Sequence, residues 1–220
     1  MRLDRVLVGR GFGSRKEVEL LIRRGRVRLG GEPVKDPSFH VAEDAAIVVE
    51  GVRSEPEVLP TLVAWHKPVG VLTTLRDPWG REGIDDVLPE PWRGKLHPVG
   101  RLDLDTSGLL LFSSDGALTQ RLLSPRHAVP RTYVATVEVD PPADLIARVA
   151  AGVETAEGVF TGVIHAVDGR EVTITVTEGK HRMVRRMLHN AGASVAELRR
   201  IAYGDVEIGD LVVGAWRVVH

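Results

Sequence analysis

Two carboxylates, Asp103 and Asp105, stand two residues apart in the stretch His97-Pro98-Val99-Gly100-Arg101-Leu102-Asp103-Leu104-Asp105-Thr106-Ser107-Gly108. Arg101 and Thr106 flank them, and Leu109-Leu110-Leu111-Phe112 follows at once. A carboxylate so placed can attack as a nucleophile, take a proton, or bind a hard cation. The cation reading is weak: a calcium loop begun at Asp103 needs a bidentate acid where Ser114 stands, and helices on either side. Glycoside hydrolysis by the pair is disfavoured too, because residues two apart on a turn seldom face one sugar. One reactive carboxylate remains, or a turn in which the aspartates bind local backbone N–H groups.

The neighbouring elements decide how firmly such a group is held. Leu109 to Phe112 reads as a buried strand, which would give Asp103 a rigid footing. Asp115 is placed to cap a helix over 117–123, and Arg131 to Val137 alternates as a strand. Strands are expected at 61–65, 71–74, 159–166, 172–176, 195–203, 206–211 and 216–219. Helices are expected at 143–150 and 181–190, the second of them basic and amphipathic. The stretch from Asp77 to Lys95 reads as loop, with one helical turn near Ile84 to Leu88. Strands with helices scattered between them predict an α+β fold with a mixed, mainly antiparallel sheet.

The first third of the chain is different in kind. Leu3, Val6 and Leu7 share one face of a short helix ended by Gly9. Ser14 and Glu17 form a capping box that opens a second helix, on which Val18, Leu21 and Ile22 are the apolar stripe. Gly25 stops it, Arg26-Val27-Arg28-Leu29 turns back through Gly30-Gly31, and Ala46 to Val49 closes the unit. Residues 1–35 hold ten basic side chains against four acidic, a net +6. The whole chain is −1, which leaves the remainder at −7. A basic head on an acidic body is the asymmetry of a module that grips phosphate. Val52 to Pro60, rich in Pro and Glu, reads as a linker. The expected division is residues 1–52, a linker at 53–60, and a larger domain at 61–220.

Composition narrows the chemistry further. There are no cysteines, so disulfides, thiolate nucleophiles and zinc–thiolate sites are excluded. No apolar stretch is long enough to span a bilayer, and nothing after Met1-Arg2-Leu3-Asp4-Arg5 reads as a secretory signal. A cytoplasmic protein without membrane attachment is expected.

Several stretches resemble known families. Met1-Arg2-Leu3-Asp4, Ser14-Arg15-Lys16-Glu17, Gly25-Arg26-Val27 and Gly31-Glu32-Pro33-Val34 together resemble the S-four RNA-binding domain. That likeness implies RNA contacts by Arg2, Arg15, Lys16, Arg23, Arg24, Arg26 and Arg28, mainly to phosphate. Gly100-Arg101-Leu102-Asp103 with Thr106, Gly108-Leu109-Leu110-Leu111 and Asp115-Gly116 closely resembles the signature of RNA pseudouridine synthases. His66-Lys67-Pro68-x-Gly70, Arg131-Thr132-Tyr133, and Glu178-Gly179-Lys180 with Val184-Arg185-Arg186-Met187 match three further motifs of the branch that carries an S-four domain.

The resemblance implies that Asp103 is the catalytic aspartate, that Tyr133 packs on the target base, and that Arg185 pairs with Asp103. It adds Lys67, Arg101, Lys180 and Arg186 as RNA contacts. In the implied reaction the bond from ribose to base nitrogen breaks, the base turns over, and it is rejoined through carbon. The carboxylate attacks ribose, attacks the base, or removes a proton; no metal or cofactor is required. One departure is Arg182-Met183, where many relatives have His-Gln or Arg-Gln, so a glutamine contact is missing. Asp105 stands at a variable position and is read as turn chemistry.

Ser124-Pro125-Arg126-His127 before Val129-Pro130-Arg131 is more like the small-subunit enzymes, as is the compact length. The expected activity is isomerisation of one uridine in 16S ribosomal RNA, by a monomer, on rRNA or an assembling ribosomal particle. The alternatives are a 23S uridine, or a non-catalytic RNA-binding module in ribosome assembly.

Overall fold

A computed structural model describes residues 1–42, 44–50, 52–54, 59–74 and 83–220. In chain order the elements are α1 (Leu3–Gly9), α2 (Arg15–Arg23), β1 (Val27–Leu29), β2 (Glu32–Val34), β3 (Ile47–Val49) and β4 (Val52–Ser54). There follow β5 (Leu62–Lys67), α3 (Ile84–Val87), β6 (His97–Val99), β7 (Thr106–Ser113), α4 (Gly116–Leu123), β8 (Arg131–Val137) and α5 (Leu145–Ala151). The last are β9 (Val153–Thr155), β10 (Gly158–Phe160), β11 (Val163–Asp168), β12 (Glu171–Val176), α6 (Met183–Asn190), β13 (Val195–Tyr203), β14 (Val206–Glu207) and β15 (Trp216–Val218). The chain divides into two compact units, Met1–Thr61 with Val87–His97, and Leu62–Asp86 with Pro98–His220.

In the first unit the capping box forms as its spacing requires. Glu17 N–H donates to Ser14 Oγ at 3.4 Å, and Ser14 N–H donates to Glu17 Oε2 at 2.7 Å. This satisfies two N–H groups that α2 would otherwise leave orphaned. Val18 and Ile22 then bury against Leu3, Leu7, Val27 and Ile47. The sheet runs β2-β1-β3-β4, antiparallel throughout. The linker expected from residue 53 starts later than its composition suggests, because 52–54 pairs with β3 as a fourth strand. Residues 55–58 of that stretch lie outside the described residues.

The second unit is built on a sheet ordered β11-β12-β8-β13-β7-β5-β15, with β14 on β13 and β6 on β7. Along that path every pairing is antiparallel except β7 with β13, which run parallel. Strand β7 is buried on both faces, so its Leu-rich run is continuous rather than alternating. Ala64, Val99, Leu109, Leu111 and Tyr203 form one cluster of the core. Elsewhere Trp65 stacks on Trp216 at 5.0 Å and meets the edge of Phe112 at 6.2 Å. Burying each of these side chains contributes roughly 1.5–3 kcal/mol.

Three expected strands differ. Of 71–74 only Leu72 makes a bridge among the described residues, to Gly83, and the Thr73 hydroxyl bonds the Leu102 backbone. The span 159–166 breaks at Gly162, giving β10, which pairs with β9, and β11, which joins the large sheet. The strand expected at 206–211 stops at Glu207.

Candidate active site

The loop 100–105 enters the sheet at the start of β7, beside the parallel neighbour β13. Leu198, Arg199 and Arg200 stand opposite Thr106, Ser107 and Gly108. Gly108 has φ +107°, and a Cβ there would lie 2.2 Å from the Arg200 carbonyl oxygen. Only glycine lets the two backbones approach this closely.

Each residue from Leu102 to Asp105 is pinned through its backbone by a different part of the unit. Thr73 Oγ1 donates to Leu102 O at 2.8 Å and accepts from Leu102 N–H at 3.2 Å. Lys67 Nζ donates to Asp103 O at 3.2 Å, and Gly70 N–H to Leu104 O at 2.9 Å. Arg185 Nη2 donates to Asp105 O at 2.7 Å. The Asp103 carboxylate itself makes no hydrogen bond or ion pair among the described residues. It faces a cavity of about 630 Å³ together with Tyr133, Arg131, Arg182, Arg200 and Tyr203. That volume suits a small ligand or a single nucleotide.

Lys67 is fully buried, so it is not an RNA contact as the motif comparison implied. Its ammonium sits under the loop and donates to three carbonyls, those of Pro68 (2.9 Å), Asp103 (3.2 Å) and Thr106 (2.9 Å). Burial lowers its pKa from the ordinary 10.5 to about 8, against the opposing pull of Asp103 and Asp105. The folded protein thus releases this proton before the unfolded chain does, so the group's own contribution to stability rises from pH 8 towards ~10.4. Over the same range the cage loses one N–H donor. Single-turnover rates are expected to fall through about pH 8 without any fall in melting temperature from this group. A rate that stays flat from about pH 7 to about pH 9 would separate Lys67 from the reacting loop. Lys67→Met, which strands three carbonyls, is expected to destabilise the fold by about 2–4 kcal/mol in urea unfolding.

Tyr133 is buried on β8, directly across from Arg200 on β13 and Ile174 on β12. The alternation of β8 puts Arg131 on this same inward face, where it is 8% exposed. Arg131 donates to Thr177 O at 2.9 Å and to the Tyr203 hydroxyl at 2.9 Å. Arg200 lies over the Tyr203 ring at 5.0 Å, and its Nε donates to Leu109 O at 2.7 Å. The motifs included Arg131 without giving it a role, and passed over Arg200 and Tyr203. The available signal was a charge on the buried phase of an alternating strand.

Arg185 does not pair with Asp103 as expected. It lies in the first turn of α6 and reaches Asp105, its Nε 3.4 Å from Asp105 Oδ2, while Nη1 donates to Val195 O at 3.0 Å. Burial lowers its pKa, with Asp105 and Asp103 opposing. Arg182 grips the same carboxylate with both arms, at 2.9 and 2.8 Å. The hydrogen bonds from Arg182 hold the Asp105 carboxyl below its ordinary range, and Arg185 adds to this against a desolvation penalty. Asp105 is therefore an ion-pair hub rather than turn chemistry.

The remaining cations fall into two groups. Arg101 and Lys180 are exposed and line the cavity, whereas Arg186 pairs with Glu157. In the first unit Lys16, Arg23 and Arg24 are exposed. Arg2 is held by Asp4 at 2.8 Å, Arg15 by Glu19 at 3.1 Å, and Arg26 by Glu50 at 2.7 Å. Arg28 donates to Gly31 O at 3.0 Å. No group of three or more His, Asp or Glu side chains converges as a metal site among the described residues. No helix among them is long and apolar enough to cross a membrane.

Comparison with known proteins agrees with this layout. The family model described as RNA pseudouridylate synthase matches residues 61–190, and the S4 domain model matches residues 1–47. The chain is 37% identical to a ribosomal large subunit pseudouridine synthase B of Vibrio cholerae, over 98% of this chain and 70% of that protein. It is 38% identical to an uncharacterised RNA pseudouridine synthase of Mycobacterium tuberculosis, over 100% of this chain and 90% of that one. A crystal structure of a pseudouridylate synthase superposes with a TM-score of 0.68 at 28% identity, covering 100% of this chain and 96% of the other. The chain belongs to the RNA pseudouridylate synthase family, and it is an isomerase that acts on RNA.

Proposed function

We propose that the chain converts one uridine of 23S ribosomal RNA to pseudouridine, with Asp103 as the reacting group. The observation that carries this reading is the Asp103 carboxylate: without a hydrogen bond or ion pair among the described residues, facing a nucleotide-sized cavity, on a loop pinned at four successive residues. Preorganisation of that kind is what a single reactive group needs. The target base leaves its stack to enter, and Tyr133 replaces part of the stacking it loses. The C1′–N1 bond breaks, the base turns, C1′–C5 forms, the C5 proton departs and N1 takes up a proton, so atoms balance and no electrons are gained or lost overall. Asp103 serves this either as nucleophile or as proton acceptor. Arg185 positions the loop through Asp105 and does not touch the reacting carboxylate. Arg101 and Lys180 at the cavity, with Lys16, Arg23 and Arg24 of the first unit, hold phosphate.

The large-subunit assignment takes its support from relatives named for that subunit, similar over nearly the whole chain. The small-subunit reading keeps in its favour the compact length and the Ser124 to His127 sequence, of which Pro125 lines the cavity. The protein is taken to act as a monomer in the cytoplasm, on rRNA or an assembling particle. Mapping pseudouridine in both rRNAs from a deletion strain, complemented by wild type or Asp103→Asn, tests the whole reading. A 23S site lost and restored only by wild type is expected. Loss from 16S instead moves the target to the small subunit. No loss from either, with rRNA binding intact, leaves a non-catalytic assembly module.

A further inference from the structure

We infer that Arg182 and Arg185 form a phosphate site for the backbone of the target RNA, which Asp105 fills with its own carboxylate in the free protein. This rests on the reading of the chain as acting on RNA, and adds a contact that the motifs do not assign. Asp105 occupies the site as an anion would: Arg182 forks onto both of its oxygens at 2.9 and 2.8 Å. Arginine takes phosphate oxygens in the same bidentate way.

Asp105 does not use all that the site offers. The Arg185 side chain is only 10% exposed, and its buried Nε has no hydrogen-bond acceptor among the described residues although Asp105 Oδ2 lies 3.4 Å away. An anion with a third oxygen would satisfy it. A buried donor left unmet is costly enough to ask for such an explanation.

Arg182 also carries backbone strain. It sits at φ 51°, ψ 26°, in the left-handed region, just before α6, and α6 has no side-chain cap. Non-glycine residues held there cluster at ligand sites. The eight-residue α6 presents its uncapped, positive end beside the same guanidinium groups.

The internal pair is suited to exchange. Asp105 and Arg182 are 45% and 37% exposed, so the released carboxylate can return to water, and half-exposed pairs are cheap to break. Arg182 lines the cavity that Asp103 faces, which places the bound phosphate next to the nucleotide being turned over. Asp103 stays pinned throughout by Lys67, while its neighbours stay pinned by Thr73 and Gly70.

Binding of a labelled oligouridylate, followed by anisotropy between about 50 and about 200 mM salt, tests the site. Arg182→Gln is expected to lower the log–log salt slope by about 0.7, the share of one phosphate contact on a single strand. Arg182→Lys should restore the slope but not the full affinity. Asp105→Asn, which removes the competing anion, is expected to bind roughly three- to tenfold more tightly. An unchanged slope in Arg182→Gln, or Asp105→Asn binding no more tightly than wild type, overturns the inference. Should Asp105→Asn also lower the melting temperature, the slope of Arg182→Gln decides alone. Pseudouridine formation by wild type on rRNA transcripts is scored in parallel. Its absence would count against the proposed function, whereas activity with an unmoved slope would count only against this site.

Discussion

Asp103→Asn is expected to abolish pseudouridine formation, lowering the single-turnover rate on rRNA by at least about 10⁴-fold. The substitution keeps the size of the side chain and changes only its charge and acceptor strength. In the folded protein the Asp103 carboxylate has no hydrogen bond or ion pair to lose among the described residues, and the loop is held by backbone contacts. Stability should therefore stay within about 0.5 kcal/mol of wild type. RNA affinity should stay within about tenfold, since removing a negative charge beside a polyanion does not weaken binding. Rate, melting temperature and affinity are measured on the same preparation. Substantial residual turnover would sink the assignment of Asp103. A loss confined to about 10²–10⁴-fold would favour proton removal over covalent attack.

The second large effect is expected far from any reacting atom in chemical terms, though only five residues along the chain. In Gly108→Ala the added methyl would sit 2.2 Å from Arg200 O and 2.5 Å from Arg200 N, both backbone atoms that cannot swing aside. The residue would also have to hold φ +107°. Relief requires β7 and β13 to part, which breaks their parallel pairing and displaces Thr106, where the reacting loop enters β7. Destabilisation above about 4 kcal/mol is expected, from combined overpacking and backbone strain. In practice this means a protein that unfolds at low urea or fails to accumulate. A urea midpoint equal to that of wild type would show that the two strands can yield.

How far the sequence could be read depends on the range of the interaction concerned. The capping box of Ser14 and Glu17 spans three residues, and it appears where its spacing puts it. The inward face of β8 was legible because alternation places Tyr133, Ala135 and Val137 on one side whatever lies across from them. The break at Gly162 was not legible, since 159–166 is apolar enough for a single strand. It is the pairing of β10 with β9 that divides it.

The site shows the same division more sharply. Motif likeness picked out Asp103, Tyr133 and Arg185, but it misassigned what Lys67 and Arg185 touch. The partners of Lys67 are backbone carbonyls, two of them 36 and 39 residues away. A carbonyl is present at every residue, so it leaves no mark in the sequence. Arg185 could reach either aspartate of the loop, and a shift of two residues decides between a paired catalytic group and a free one. That choice is made by where α6 packs against β9 and β13.

By itself, then, the sequence determined the helices, hairpins and buried strands whose signals are local, together with the family to which its ordered motifs correspond. The tertiary contacts decided that Lys67 is a buried strut, that Asp105 neutralises the two arginines, and that the Asp103 carboxylate has no hydrogen bond or ion pair among the described residues. The physical reason is that hydrogen bonds and ion pairs between distant segments depend on positions in space. Those positions exist only once β7 and β13 have closed together around Gly108.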